Sequence, residues 1–395
     1  MALSAAIGQS RLADAHDAGF QAAQQALEQL GRGRTAFALV VASHVHPAQQ
    51  VLAGINDSLG ETPVLGFSTS AELTSQGRSQ RSVAVALFAS DEVEARCGWW
   101  PDFVQDSRAC TFNMLKALQP QAETGEILLL VADGLSGSAE YLGQETSQAG
   151  YALAGCLAGG DVGRGRTFQM GGRQSGSGGL AAAVLSGNIV IGVGAEHGWR
   201  PVGALARLTR VQGQWVRTLD DQPANELYAR LFGYPAREWA YSPLNDLVRL
   251  YPLGLHTEED VVVRAPLRME ADGSLRMNAR LPEGAIVDIM VGSQDGCLEA
   301  ARQATRQALD ALGPTRPRLA VLLVDVAWQA LLELQPGSEV QAVSQILGQE
   351  VPVIGGYTYG QVARLGQPGP VHLFNQHIEV VLFGVKEIEV QEGVL

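Results

Sequence analysis

The chain writes one short pattern three times, and a repeat in a chain of this length means that one supersecondary unit is used several times. Residues 63–73, PVLGFSTSAEL, align without a gap on residues 352–362, PVIGGYTYGQV. A weaker third copy, residues 153–162, LAGCLAGGDV, fits the same frame, with Gly155 on Gly66 and Asp161 on Glu72. An apolar run precedes each copy (37–42, 127–132, 319–324) and another follows it (83–88, 180–185, 378–383). The shared element reads as a polar, glycine-containing turn that ends in a carboxylate or amide and sits between two buried strands.

With 395 residues, two or more cores are expected. The 46 glycines and the 17% of charged residues suit a compact chain rich in tight turns. Helical spacing runs over 12–30, and the first repeat follows it, with a strand at 36–42, a helix over 47–59, the turn at 66–72 and a strand at 82–89. The second runs to strands 179–186 and 189–196, which Asn188 would join as a hairpin. A helix over 223–232 ends at Gly233-Tyr234-Pro235, which reads as a domain boundary. A meander over 261–292 and a helix over 296–312 then lead to the third repeat. The expected fold is α/β, with two domains, 1–233 and 234–395, built from repeated strand-helix-strand-strand units around mixed sheets.

The net charge of −13, with no Lys/Arg cluster, argues against nucleic-acid or anionic-membrane partners. No run approaches the roughly 18 apolar residues of a membrane span, and the N-terminus lacks the basic start of a signal peptide. The four cysteines are scattered without a CxxC pair, as expected of reduced thiols packed as small apolar groups. These features predict a cytoplasmic protein.

Two constellations could carry chemistry. Ser68, Thr69, Ser70 and Glu72, set against Tyr357, Thr358, Tyr359 and Gln361, would make a polar patch at strand ends, where α/β sheets place ligands. The same hydroxyls could equally satisfy turn backbone groups. Among the seven histidines, His256 follows the apolar stretch 250–255 and precedes an acidic one, which suits a haem axial ligand or an ordinary turn residue. His44 and His197, each near a strand end, are the alternatives. No third and fourth ligand stands at zinc-site spacing, and no CxxCH allows covalent haem. Segments around Ser68 and Ser136 miss GxSxG at the last position, and no glycine run is followed by the Lys-Ser/Thr of a phosphate loop. No catalytic residue is expected, and no metal apart from a haem iron.

The chain resembles FIST-domain proteins, which pair a FIST N-terminal with a FIST C-terminal domain. The likeness is carried by Gly66–Glu72, Gly198–Gly203, Tyr251–Gly254, Arg264–Leu267, Gly356–Gln361 and Asn375–Gln376, and spans about residues 30–390. The family pattern has Glu where this chain has Gln361, and a small hydroxyl residue where it has His377. The resemblance implies a cytoplasmic sensory protein that binds a small ligand and signals in trans to a partner such as a histidine kinase or cyclase, with a homo-oligomer allowed. A stand-alone subgroup senses nitric oxide through haem, which is the first expectation. A sensor of a small polar metabolite such as an amino acid is the second. A serine hydrolase using Ser68 or Ser136 is the third.

Overall fold

A computed structural model describes residues 3–31, 33–119, 126–160, 165–256, 261–366 and 369–385. The first unit runs β1 (Ser4–Ser10), α1 (Ala15–Leu30), β2 (Thr35–Ser43), α2 (Ala48–Leu59), β3 (Val64–Thr69), the hairpin β4 (Glu72–Thr74) and β5 (Gly77–Ser79), then β6 (Val83–Ala89). The second repeats that order: β7 (Val93–Trp100), α3 (Ser107–Ala117), β8 (Ile127–Ala132), α4 (Glu140–Thr146) and β9 (Ala152–Leu157). Its hairpin is β10 (Gln169–Gly171) and β11 (Gln174–Gly176), and β12 (Leu180–Gly187) closes it. The third opens with β13 (Val190–His197) and is interrupted by an insertion. That insertion holds β14 (Trp199–Gln212), β15 (Trp215–Leu219), β16 (Gln222–Pro223), α5 (Ala224–Phe232), α6 (Leu244–Leu247), β17 (Leu253–His256), β18 (Val261–Arg264), β19 (Pro266–Met269), β20 (Leu275–Met277) and β21 (Ile286–Gly292). The unit resumes with α7 (Gln294–Leu312), β22 (Leu319–Asp325), α8 (Val326–Leu331), α9 (Ser338–Leu347) and β23 (Val353–Thr358). It ends on the hairpin β24 (Gly360–Arg364) and β25 (Val371–Phe374), followed by β26 (His377–Gly384).

Three six-stranded sheets follow one plan. Their strand orders are β1-β6-β2-β3-β10-β11, β7-β12-β8-β9-β24-β25 and β13-β26-β22-β23-β4-β5. In each, the central pair is parallel and the remaining neighbours are antiparallel. The outer hairpin always comes from another unit: the second unit lends its hairpin to the first sheet, the third to the second, and the first to the third. Strands from both sides of residue 233 therefore share sheets. The expected mixed α/β fold of repeated units is what forms.

Alternation along the strands explains the layers. Phe37, Leu39 and Val41 of β2 point inward, where they meet Leu129 and Val131 of β8 and Val321 and Leu323 of β22 in a central core. Ala38, Val40 and Ala42 point outward beneath α1 and α2. Equivalent outer faces are covered by α3 and α4 and by α7 and α9. Strands covered on both faces read as unbroken apolar runs, which is why the sequence marks them so plainly. The helices start and stop on local signals: Asp14 accepts from Asp17 N–H and Ser293 from Gly296 N–H, while Gly31 and Gly313 end α1 and α7 at φ 73° and 71°. The insertion forms its own eight-stranded sheet around Tyr228, Trp239, Leu253 and Ile289. Among the described residues no helix is long and apolar enough to cross a membrane.

Three expectations change. Strands 179–186 and 189–196 do not pair: β12 lies between β7 and β8, whereas β13 joins β26 in the third sheet. Asn188 instead donates to Glu92, from both its backbone N–H and its side chain. Gly66, Gly155 and Gly355 lie inside strands rather than in turns. A Cβ on Gly155 or Gly355 would stand 2.2 and 2.0 Å from the carbonyl oxygens of Leu130 and Leu322, so close strand packing demands them. Finally, Phe67, Cys156 and Gly356 occupy one position in the three sheets, and they face Gln169, Gln361 and Glu72. The third copy's counterpart of Glu72 is thus Gln169. Asp161 lies outside the described residues.

Candidate ligand-binding site

The residues singled out at the repeated pattern do come together, but they face one another. The Thr69 hydroxyl donates to Glu72 Oε1 at 2.9 Å, and Ser82 donates to Glu72 Oε2 from both its N–H and its hydroxyl, at 3.0 and 2.7 Å. Gln169 Oε1 accepts from Gly179 N–H at 3.1 Å, and Gln361 Nε2 donates to the Thr358 hydroxyl at 3.0 Å. Each is a clip that ties an exchanged hairpin back to its parent unit. Ala158 stands where the other copies have Thr69 and Thr358, so the Gln169 amide nitrogen lacks a partner.

Three backbone bonds link the strand ends in a ring: Ser70 N–H to Tyr357 O, Tyr359 N–H to Leu157 O and Gly159 N–H to Ser68 O. The side chains complete it. The Ser68 hydroxyl donates to Gly159 O, Ser70 to Gln329 Oε1, Tyr357 to Glu339 and Tyr359 to Gly160 O. All but Ser70 are buried, and none of these eight residues lines a cavity among those resolved. The cost of burial falls on the acids. Glu72 is pushed up to about 7 by burial, against its bonds to Ser82 and Thr69. Glu379, fully buried where the other units have Ala84 and Ala181, is raised well above the usual range by burial, with the Gly155 N–H favouring its ionised form.

The three histidines proposed for haem lie apart. His256 ends β17 in the inserted sheet, 41% exposed, with Nε2 held by Asp288 Oδ2 at 2.7 Å. His197 ends β13 and packs edge-on against His377, ring centroids 4.9 Å apart, while its Nδ1 accepts from Trp199 N–H. His377 is lowered to about 3 by burial and by His197, and its Nδ1–H donates to Asn375 O. His44 follows β2, with its Nδ1 beside Thr69 O at 3.1 Å. A haem needs a nitrogen donor inside an apolar pocket. Neither His256 nor His197 lines one of the described cavities, and the cavity at His44 sets Arg166, His46, Ser175 and Ser177 among its apolar groups, so none of the three histidines stands in the wholly apolar pocket a haem needs.

That cavity is one of several clefts of similar size, and it lies at the carboxyl end of β2. It measures about 360 Å³ and is lined by the turn His44–Gln49, by Arg166, Thr167 and Phe168, and by Ser175, Gly176 and Ser177. One wall is the β2–α2 turn of the first unit, and the other is the hairpin lent by the second. None of the described cavities lies at the equivalent turns elsewhere. After β22, Asp325 accepts from the N–H groups of Ala327 and Gln376 and is pushed up to about 6 by burial, while Trp328 Nε1–H donates to Gln376 O. After β8, Asp133 accepts from Leu135 and Ser136 N–H and from the Thr167 hydroxyl, and the Tyr359 ring lies against Gly134. Ser43 holds the matching place after β2, and the turn there stays open. Arg166 and Thr167 carried no periodic or motif signal. Asp133 and Asp325, each ending an apolar run, could have been read as a matched pair.

Two family matches cover most of the chain: the FIST N domain over residues 36–222 and the FIST C domain over residues 224–364. No curated protein matches it. Among solved structures, a cyanuric acid hydrolase from A. caulinodans is 13% identical, covering 47% of this chain and 71% of its own, at a TM-score of 0.27, too low a likeness to carry weight.

Proposed function

This chain belongs to the FIST-domain proteins, and from that premise we propose that it senses a small polar ligand bound in the cleft between His44 and Ser177. FIST domains are sensory domains of signal-transduction proteins that bind small ligands. The observation that carries the assignment is the broken symmetry: one of three equivalent strand-to-helix turns opens as a cleft at the carboxyl ends of the strands, where α/β sheets bind ligands. Its two walls belong to different units. A ligand that bridges them would bias the position of the β10–β11 hairpin against α2, and a partner such as a histidine kinase or cyclase would read that shift. Binding rather than catalysis is proposed because Ser68 is fully buried with its hydroxyl spent on Gly159 O.

A thermal-shift screen of polar metabolites followed by hydrogen exchange tests this reading. Ligand should slow exchange in residues 44–49 and 166–177, and Ser177→Trp, at an exposed position, should block binding without unfolding the protein. Binding that survives Ser177→Trp, with protection elsewhere, would sink the assignment. The haem expectation is separated from it by the absorption spectrum of protein produced with iron and a haem precursor. A Soret band lost in His256→Ala would restore that reading.

A further inference from the structure

We propose that the ligand of this cleft is an oxyanion, a small molecule held by a carboxylate or phosphate group at Arg166. The proposal rests on the reading of the cleft as the ligand site and names its chemistry. The described lining contains a guanidinium, two imidazoles and two serine hydroxyls, and no aspartate or glutamate. Arg166 is exposed and has no ion pair among the described residues. The nearby carboxylate Asp133 accepts from Leu135 N–H, Ser136 N–H and the Thr167 hydroxyl, and makes no ion pair with Arg166 among the described residues.

The other walls are rich in donors. Ser175 Oγ is out of solvent and has no hydrogen-bond partner among the described residues, which is a cost unless something else takes it up. The Ser177 hydroxyl stands exposed beside it. Pro47 precedes α2 and supplies no side-chain cap to that helix, whose first residues, Ala48 and Gln49, line the cleft. His44 is oriented by donating Nδ1–H to Thr69 O.

A cationic ligand would find no carboxylate in the described lining, and an apolar one would strand the arginine and the orphaned hydroxyl. An oxyanion satisfies both, because the planar guanidinium fork matches carboxylate and phosphate oxygens. The net charge of −13 makes such a local cation selective rather than general.

The test is calorimetric titration with inorganic phosphate and with succinate, beside a neutral polyol and a cationic amine as charge controls. At least one anion should bind, Arg166→Ala should weaken it about tenfold or more, and Arg166→Lys should keep part of the affinity. Added salt should weaken binding, as it does for an exposed charge pair. Which of the two anions binds distinguishes a phosphate-type from a carboxylate ligand. Failure of both anions, or an affinity unchanged by Arg166→Ala, overturns the proposal. If a neutral or cationic ligand binds and Ser177→Trp blocks it, the cleft remains the site and the oxyanion class alone falls. If an anion binds and neither substitution affects it, the site itself is wrong.

Discussion

Glu72, Gln169 and Gln361 hold one position in three copies, one as an acid and two as amides, and all are fully buried. The acid is the costly member. Its carboxyl has an ordinary value of 4.5 and is raised to about 7 on folding, so the folded chain holds that proton more tightly than the unfolded one. Such a group contributes stability that is present below pH 4.5 and lost as pH rises through 7, at 1.36 kcal/mol per unit, or about 3 kcal/mol in all. Glu72→Gln should therefore match the wild type near pH 4 and exceed it by up to about 3 kcal/mol above pH 7, measured by urea unfolding across a pH series. Parallel curves would refute the burial argument. His377 works in the opposite sense, since its lowered value makes stability fall as pH drops from 6.5 through 3, and it cancels in the difference between the two proteins. Little of this was legible beforehand. The gapless alignment paired Glu72 with Gln361 correctly, but eight extra residues in the second unit hid Gln169, and only the strand register exposes it.

Elements were easier to read than their partners. Runs of six or seven apolar residues fall where β2, β6, β8 and β22 lie, because those strands are covered on both faces. The ends of α1 and α7 lie at local cap residues, Asp14 and Ser293 at the starts and Gly31 and Gly313 at the stops. The short hairpins carry no comparable signal, since three-residue strands such as β4 and β10 are too brief for a period to show. Their backbone bonds are made to other units and their clips return to their own, so they should open only when the whole molecule opens. Native-state hydrogen exchange should give the amides of Glu72–Thr74 and Gln169–Gly171 the same opening free energy as the central strands. Exposed residues at the irregular stretch of β14, such as Val202 and Leu205, should exchange through local opening instead. Hairpin amides that exchange as fast as these would mean that the exchange of hairpins contributes little to cohesion.

At the scale of the molecule, the cyclic exchange makes the three units inseparable. A chain cut at residue 233 loses β22, β23 and β26, on which β4 and β13 are paired, and strips β24 and β25 from the second sheet. Residues 1–233 and 234–395 produced separately should therefore be aggregation-prone through unpaired strand edges, and should recover a folded complex when co-expressed. Two independently folded, monomeric fragments by size-exclusion chromatography and circular dichroism would contradict this. The repeat itself, the count of three units, the buried strands and the α/β class all follow from local pattern, because apolar runs and caps act within a few residues. The hairpin exchange and the open cleft do not. The first depends on which of several equivalent sheet edges each hairpin joins, a choice among partners roughly 100 to 280 residues away in the chain. The second arises because Ser43 stands where its counterparts are carboxylates that draw their turns shut, a difference whose consequence appears only once the three copies are assembled around one core.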